Sequence, residues 1–295
     1  MPDAGPSVTC FGEILWDFLP GGAFPGGAPC NVAYHLHGLG ARVQLVSAVG
    51  CDLLGDELLR RLRQWGLGLD GIARNRDRPT GSVRATLGAA GDAHYAIAGD
   101  VAWDGIPAGA PVLEAAARAD AFVFGSLAQR SAFNRATLDR LLAVLPARAL
   151  RIFDVNLRAP YDDLPRVRAL ARQATVLKLN SAEAARLARG SAAPDDGEAQ
   201  ARALAAEFGC DRIVVTAGAR GAGLLHGADW TWEPGRPVTV VDTVGAGDAF
   251  LASFALHLLA GRHTDHEILA RACRLGEWVA SRPGATPAYE PATPR

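Results

Sequence analysis

The sequence is poor in several residue types, and each scarcity excludes a class of protein. Of its 30 basic residues only Lys178 is a lysine, and it has no G-x-x-x-x-G-K-[ST] context, so a Walker A P-loop is excluded. The V-A-I-K lysine and the H-R-D loop of protein kinases are missing as well. The five cysteines are scattered without a C-x-x-C pair, which indicates reduced, mostly buried thiols rather than a disulfide framework or a metal site.

Charge and hydrophobic patterning narrow the classes further. The formal net charge is −1, so nothing indicates a basic surface for nucleic acid or anionic lipid. Hydrophobic residues make up 49% of the 295 residues, enough for a substantial core, but the apolar runs are short and broken by glycine or charge. The Met-Pro-Asp start lacks the basic and apolar regions of a signal peptide. We therefore expect a cytoplasmic protein with a single domain over residues 1–295, which contacts neither nucleic acid nor membrane.

Strand-like and helix-like runs alternate along most of the chain. This pattern predicts an α/β fold with a doubly wound, mainly parallel sheet flanked by helices. Alternation fails at Glu13 to Phe24 and at Ser82 to Ala98, which are extended instead, and residues 89–93 of the second segment are predicted to form a turn. The predicted strands are 43–49, 121–125, 151–155, 174–179 and 212–215, and the predicted helices are 56–65, 133–145, 182–187 and 200–208.

The run V-D-T-V-G-A-G-D-A-F at residues 241–250 predicts a phosphoryl-transfer site. Residues 237–241 have the β-branched pattern of a strand, and residues 249–259 are apolar nearly all round, as in a buried helix. The small residues 245–247 therefore lie at a helix N-terminus, where unpaired N–H groups and the helix dipole favour an anion. Asp248, in the first helical turn, is placed to take a proton from an attacking hydroxyl. A plain strand-to-helix turn packed by small residues is the alternative interpretation.

The same string resembles the C-terminal signature of the ribokinase-like (PfkB) family of sugar kinases. Residues 26–33, G-G-A-P-C-N-V-A, followed by Gly40 and Gly50, resemble the family's N-terminal signature in residue types and spacing. One departure is Ser253, where the family prefers alanine or glycine. The resemblance extends over nearly the whole chain. It implies a ribokinase-like fold with a small β-sheet lid, at about residues 13–24 and 82–106 here, which covers the sugar and often mediates dimerisation.

The resemblance also implies what the motif residues do. Such kinases transfer the γ-phosphoryl group of ATP, bound with Mg²⁺, to a sugar hydroxyl, and positioned donors meet the developing charge. The residues implied are Asp248, Gly245, Ala246 and Gly247 for catalysis; Asp17, Gly26, Gly27, Asn31, Trp103 and Arg158 for the sugar; Asn180, Thr216, Gly218 and Gly221 for ATP; Glu183 for Mg²⁺ through water; and Asp242 and Thr243 for a monovalent cation such as K⁺.

Other interpretations stay open for several of these residues. Asn180 and Glu183 also have the spacing of an ordinary helix cap. Asp17 could be an exposed acid on a strand. Tyr95 and Trp103 could form apolar walls of the sugar site, or they could belong to the core of the lid.

The choice of substrate rests on shorter patterns. Residues 153–158, F-D-V-N-L-R, resemble fructokinases and 2-keto-3-deoxygluconate kinases, and residues 12–17 and 102–104 look most like bacterial fructokinases. Arg158 could bond neutral hydroxyls, bind a sugar-acid carboxylate or form a structural ion pair. The expected reaction is phosphorylation of fructose at O6, with 2-keto-3-deoxygluconate and ribose as alternative acceptors. A sugar-binding sensor without catalysis is the alternative of a different class.

Overall fold

The structure is a computed structural model. The turn predicted at 89–93 falls outside the described residues apart from residue 93, and so does the side chain of Tyr95. No helix in the described part of the chain is both long enough and apolar enough to cross a bilayer. The described residues are 5–19, 21–87, 93–190, 193 and 195–294, without the side chains of 85–87 and 93–95.

The described residues form two sheets and nine α-helices. The strands are β1 (Ser7–Phe11), β2 (Leu15–Leu19), β3 (Gly22–Gly26), β4 (Arg42–Gly50), β5 (Ile72–Asn75), β6 (Gly81–Leu87), β7 (Ala93–Ile97), β8 (Ala121–Gly125), β9 (Leu150–Asp154), β10 (Val176–Asn180), β11 (Arg212–Thr216), β12 (Gly221–His226) and β13 (Asp229–Pro234). The helices are α1 (Ala28–Gly38), α2 (Leu53–Gln64), α3 (Ala110–Ala116), α4 (Ala132–Val144), α5 (Leu164–Ala171), α6 (Ser181–Leu187), α7 (Gly197–Phe208), α8 (Ala246–Ala260) and α9 (Asp265–Ala280).

The larger sheet confirms the predicted fold class. Its nine described strands run in the order β13-β12-β11-β10-β9-β8-β1-β4-β5. The β11–β12 and β12–β13 pairs are antiparallel, and the other neighbouring strands are parallel. From β1 the chain first builds outwards through β4 and β5, and it later returns to β8 on the other side of β1. In doubly wound sheets, ligands bind outside the carboxyl ends of the strands at such a reversal.

Helices cover both faces of this sheet. Successive side chains of a strand point to opposite faces, so Phe122 and Phe124 of β8 join one buried cluster while Ala121 and Val123 join the other. Helices α3 to α7 contribute to the first cluster, and α1, α2, α8 and α9 contribute to the second. The sheet is therefore the middle layer of three, which explains why a central strand such as β8 is buried along its whole length.

The two extended segments form a smaller sheet of their own, as expected. Its described strands lie in the order β3-β2-β6-β7, with β2 and β6 parallel and the other pairs antiparallel. Hydrogen bonds fasten this sheet to the start of α2. Asp52 accepts from the backbone N–H of Thr80 at 2.8 Å and from its hydroxyl at 2.6 Å, and the indole N–H of Trp16 donates to the carbonyl of Leu54 at 2.9 Å.

The strand predicted at 237–241 is wrong. The last strand, β13, ends at Pro234, and residues 235–240 have no regular secondary structure. The β-branched side chains of this run are not buried, since Val240 and Val241 are 57% and 59% exposed. Pro237 also lacks the N–H group that a strand interior needs. The helix that follows starts at Ala246, three residues before the predicted 249, so Asp248 does lie in its first turn.

Asn134 of α4 connects the segment after the small sheet to the core. It is fully buried. Its amide oxygen accepts from the N–H of Ile106 at 2.9 Å, and its amide nitrogen donates to the carbonyls of Trp103 at 2.7 Å and Ala128 at 2.8 Å. One side chain thus satisfies three buried backbone groups.

Replacing Asn134 by alanine should therefore destabilise the fold. We expect Asn134→Ala to lower the free energy of unfolding by about 2 to 4 kcal/mol, because each buried polar group left without a partner costs about 1 to 3 kcal/mol. Urea denaturation measures this change. Asp139 is exposed on the same helix, and Asp139→Ala should change the free energy of unfolding by no more than about 0.5 kcal/mol. Equal losses in the two variants would contradict the role given to Asn134.

Candidate active site

Most of the motif residues meet at one edge of the large sheet. Parallel strands end at the same edge, so residues after β1, β9, β10 and β11 lie near the N-termini of α1 and α8. Asn31 of α1 donates a hydrogen bond to the Asp248 carboxylate at 2.8 Å, although the two residues are 217 positions apart. The N-terminal and C-terminal motifs therefore form one site.

The first turn of α8 presents backbone N–H groups. Gly245, the residue before the helix, has a φ of 78°, and a Cβ there would overlap Ala285, so this position requires glycine. No side chain caps the helix by hydrogen bonding. The N–H group of Ala246 donates to the carbonyl of Thr243 at 3.3 Å, whereas that of Gly247 has no partner within the helix and is available to an anion. Asp248 follows Gly247 directly.

Asp248 is a buried carboxyl group with an unusual pKa. It is only 8% exposed. Burial raises its pKa to about 6, the charge of Asp154 raises it as well, and the charge of Lys178, the hydrogen bond from Asn31 and the charge of Arg158 lower it. A base with a pKa close to neutral is suited to accepting a proton from a hydroxyl group.

Two further carboxyl groups face Asp248. Glu13, which follows β1, is 3% exposed, and burial together with the nearby charge of Asp248 raises its pKa to about 7. Burial and the same charge raise the pKa of Asp17, on β2, to about 6. Arg158 lowers the pKa of both carboxyl groups through its charge. A Cβ at Gly26 would overlap the Asp17 carboxylate, so glycine permits this close approach.

Two buried acceptors at this end of the site have no hydrogen-bond partner among the described residues. They are Oε2 of Glu13 and the amide oxygen of Asn31. Buried polar atoms are rarely left unpaired in proteins. A ligand with hydrogen-bond donors would satisfy both. Gly27 directly precedes α1, and a Cβ at this position would overlap the carbonyl oxygen of Glu13.

Sequence reasoning did not assign a role to the ion pair beneath the site. Lys178 of β10 and Asp154 of β9 are both buried, and the ammonium nitrogen lies 3.0 and 3.1 Å from the two carboxylate oxygens. Burial lowers the pKa of Lys178, but the charges of Asp154, Asp248 and Glu183 outweigh that effect and raise it. Two signals could have found the pair: Lys178 is the only lysine, and it stands within an apolar strand.

Asn180 and Glu183 form the helix cap that their spacing allows. The side-chain oxygen of Asn180 accepts from the N–H of Glu183 at 2.9 Å, and Glu183 accepts from the N–H of Asn180 at 2.9 Å. The other carboxylate oxygen of Glu183 accepts from the N–H of Leu157 at 2.7 Å. A carboxylate can accept about four hydrogen bonds. Glu183 therefore retains capacity for water molecules around a metal ion.

Thr216, Gly218 and Gly221 lie beside Asn180. Thr216 is paired with Asn180 in the register of β10 and β11, and a short 3₁₀ turn at Gly218–Arg220 follows it. Gly221 then begins β12. These residues continue the edge of the sheet away from the carboxyl groups.

Asp242 and Thr243 lie in the loop before α8. The Asp242 carboxylate accepts from the N–H groups of Val244 and Gly284, each at 3.0 Å, which fixes this loop against the chain after α9. The carbonyl of Thr243 accepts from the N–H of Ala246 at 3.3 Å. Both residues thus border the N-terminus of α8.

Arg158 and Trp103 are placed differently from each other. Arg158 is exposed and donates to the carbonyl of its neighbour Leu157 at 2.9 Å, while its charge faces the carboxyl groups described above. Trp103 has no exposed surface, and the guanidinium of Arg130 lies 3.9 Å from its ring centre. The structure therefore assigns Trp103 to the core beneath the small sheet and does not bring its side chain to the surface of the site.

A metal ion could be held here with little help from the protein. In the described ranges, no group of three or more His, Cys, Asp or Glu side chains is arranged as a metal site. Mg²⁺ does not need one, because it keeps several waters and binds mainly through one or two carboxylates and substrate phosphates. Glu183, with acceptor capacity to spare, fits that pattern.

Several known proteins are similar to this chain in sequence or in structure. Fructokinase-2 of Zea mays is 29% identical over 307 residues, which cover 95% of this chain and 90% of the relative. Aminoimidazole riboside kinase of Salmonella typhimurium is 28% identical and covers 84% of this chain and 78% of the relative. The crystal structure of fructokinase with bound ATP from Xylella fastidiosa is 26% identical, with a TM-score of 0.81 and coverage of 95% and 94% of the two chains.

The family follows from the extent of the match. The sequence fits the pfkB family carbohydrate kinases over residues 21–292. This range contains the Asn31–Asp248 contact, the N-terminus of α8 and the ends of β9, β10 and β11. Strands β1 and β2 precede it. The chain therefore belongs to the pfkB family of carbohydrate kinases, enzymes that transfer a phosphoryl group to a sugar.

Proposed function

We propose that this chain transfers the γ-phosphoryl group of ATP to O6 of fructose. The observation that carries the proposal is the position of Asp248, a buried carboxyl group with a pKa of about 6 in the first turn of α8, a helix whose N-terminus has no side-chain cap. The relatives that are named fructokinases support fructose as the acceptor. The bound ATP in the Xylella fastidiosa fructokinase supports ATP as the donor.

Asp248 acts as the general base in this reaction. The O6 hydroxyl donates to the Asp248 carboxylate, which takes the proton as O6 forms a bond to the γ-phosphorus. The bond from that phosphorus to the bridging oxygen breaks in line, and ADP leaves with the electron pair. The N–H groups of Gly245, Ala246 and Gly247, at the N-terminus of α8, would stabilise the negative charge on the transferred oxygens.

The acceptor sugar binds beside Asp248. Asp17 and Asn31 accept hydrogen bonds from its hydroxyl groups, Gly26 and Gly27 let the chain approach closely, and Arg158 donates. Asp17 reaches the site from the small sheet, so we infer that segments 13–24 and 82–106 form a lid on a single domain over 1–295. Closing such a lid would exclude water from the phosphoryl group.

ATP binds along the neighbouring strand ends. Asn180, Thr216, Gly218 and Gly221 contact the nucleotide, and the exposed valines before α8 offer apolar surface for its base. Bound with the phosphates, Mg²⁺ would neutralise part of their charge, held by Glu183 through water. Asp242 and Thr243 would hold a monovalent cation such as K⁺ beside the N-terminus of α8.

The charges around the acceptor favour a neutral sugar. Three carboxyl groups, Glu13, Asp17 and Asp248, face one guanidinium, that of Arg158. An acidic sugar would bring a further negative charge to this group, and like charges at short range repel. Exposed Arg158 is the one observation that favours the second candidate, a 2-keto-3-deoxygluconate kinase. A sugar-binding sensor without catalysis would not require a buried base at a helix N-terminus, so the position of Asp248 favours an enzyme.

The role of Asp248 predicts the behaviour of Asp248→Asn. We expect kcat to fall by at least ~10²-fold, the usual contribution of a positioned base, while calorimetry shows nucleotide binding little changed. Ser253, buried in the middle of the same helix, provides the control, and Ser253→Ala should turn over normally. Turnover of Asp248→Asn close to that of the wild type would refute the assignment.

Glu183 should affect the Mg²⁺ requirement beyond its effect as a cap. We expect Glu183→Gln to raise the Mg²⁺ concentration for half-maximal turnover by about tenfold or more, the scale for groups that orient metal-bound ligands. Glu267 closes an equivalent capping box with Thr264 at the start of α9. Glu267→Gln should lower stability through the cap and leave the Mg²⁺ titration unchanged. If the Mg²⁺ titrations of Glu183→Gln and Glu267→Gln superimpose, Glu183 acts only as a helix cap and has no role in binding Mg²⁺.

Arg158 separates the two leading acceptors. With fructose, Arg158→Ala should cost about 0.5 to 1.5 kcal/mol in kcat/KM, the value of an ordinary hydrogen bond, and up to roughly 3 kcal/mol for a bond from a charged donor. A sugar acid would form a charge-assisted pair, with a larger loss and a strong dependence on salt. Arg148 is an exposed residue that precedes β9, whereas Arg158 follows this strand. Arg148→Ala is therefore the control for the loss of one surface charge. A wild-type preference for 2-keto-3-deoxygluconate that Arg158→Ala abolishes would overturn fructose as the substrate and leave the kinase assignment in place.

A further inference from the structure

The buried Lys178–Asp154 pair has no part in the reaction proposed above, although it lies directly beneath the site. Lys178 and Asp154 are register partners on the parallel strands β10 and β9. Their side chains are 8% and 4% exposed, and both carboxylate oxygens contact the ammonium nitrogen. Such a pair is fully formed without any ligand.

The ammonium group points to the first turn of α8. Its nitrogen lies 3.2 Å from the position that a Cβ on Gly247 would occupy, so the absence of a side chain at 247 leaves room for it. Asp248 is the next residue. The positive charge of Lys178 and the negative charge of Asp154 both act on Asp248, with opposite signs.

Stability does not account for the pair. Moving two charges out of water costs as much as their attraction returns, and apolar residues of similar size serve equally well or better. Val176, Leu177 and Leu179 of the same strand are apolar and fully buried. A lysine in this strand, the only one in the chain, therefore calls for a role at the site that it faces.

We propose that Lys178 and Asp154 are a positioning pair for phosphoryl transfer: Lys178 holds Asp248 in its carboxylate form, and Asp154 holds the ammonium group against Gly247. This role rests on the proposed function, in which Asp248 is the base. Neither residue of the pair touches the reacting atoms, and both act through Asp248.

The pair can be separated from the other groups around Asp248. Substitutions at 154 and 178 leave those groups in place. If the two substitutions shift the titration midpoint of Asp248 in opposite directions, the pair is the cause of both shifts. The remaining charged, titratable or hydrogen-bonding groups are Glu13 after β1, Asp17 on β2, Cys30 and Asn31 on α1, Arg158 after β9 and, facing Lys178, Glu183 on α6.

The test measures the titration of Asp248 in two ways. One is the acid limb of kcat/KM for fructose against pH. The other is the ¹³C carboxyl resonance of Asp248 in the free protein, assigned by its loss in Asp248→Asn, which needs no turnover. Lys178→Met should raise the midpoint by about one pH unit or more, since a neighbouring opposite charge lowers a carboxyl pKa by about 1 to 3 units. Asp154→Asn should lower it.

Three further variants control for a loss of the fold. Lys178→Met leaves a buried carboxylate unpaired, so the double variant Lys178→Met/Asp154→Asn removes both charges together, and its midpoint should return close to that of the wild type. Lys178→Arg keeps the charge and should keep the midpoint. Arg130 and Asp104 form another buried ion pair away from Asp248. Arg130→Met should therefore reduce stability without moving the midpoint.

The possible failures are distinguishable. Shifts in the same direction for Lys178→Met and Asp154→Asn, or none in either, overturn the positioning role even if Asp248→Asn is inactive and the proposed function stands. Normal turnover by Asp248→Asn would instead remove the base from the proposed function, while the carboxyl resonance would still report whether the pair controls the charge of Asp248.

Discussion

The burial of the Asp248 carboxyl group is the constraint on which the rest of the site depends. A carboxylate taken out of water favours its neutral form, and the negative charge of Asp154 strengthens that tendency for Asp248. Three features oppose it: the hydrogen bond from Asn31, the charge of Lys178 and the charge of Arg158. The balance leaves a pKa of about 6, which gives a base that is ionised at neutral pH yet still able to hold a proton.

Helix α1 connects this carboxyl group to the end of the chain. Asn31 and His35 are four residues apart and so lie on the same face of the helix. Asn31 bonds to Asp248, while His35 lies 2.9 Å from the carbonyl oxygen of Ala285 and 3.0 Å from the hydroxyl of Tyr289. A carbonyl only accepts, so Nε2 of His35 carries the proton and Nδ1 accepts. The contact holds Ala285 against Gly245, the residue whose conformation opens the N-terminus of α8.

The sequence predicted what depends on local pattern and missed what depends on pairing across the sheet. The alternation of strands and helices, the first turn of α8 and the glycine pair at 26 and 27 have short-range signatures, and they were found. The strand predicted at 237–241 is wrong because its β-branched residues are exposed and pair with no other strand of the described sheets. The Lys178–Asp154 ion pair was not predicted because the two residues are neighbours only through the register of β9 and β10, which a single sequence does not reveal.

The acids of the site and the histidine behind it respond to pH in opposite ways. The folded-state pKa values of Glu13, Asp17 and Asp248 exceed their unfolded values, so the folded protein binds protons at these groups more tightly than the unfolded chain does. The stability that these groups contribute to the fold is therefore lost as the pH rises from about 4 to about 7. Burial lowers the pKa of His35 to about 4, so its contribution is lost instead as the pH falls from 6.5 towards 4. At neutral pH, burial therefore destabilises the ionised forms of these three acids. The hydroxyl groups of a bound sugar, which donate to the unpaired acceptors of Glu13 and Asn31, would offset that cost only when the substrate is in place.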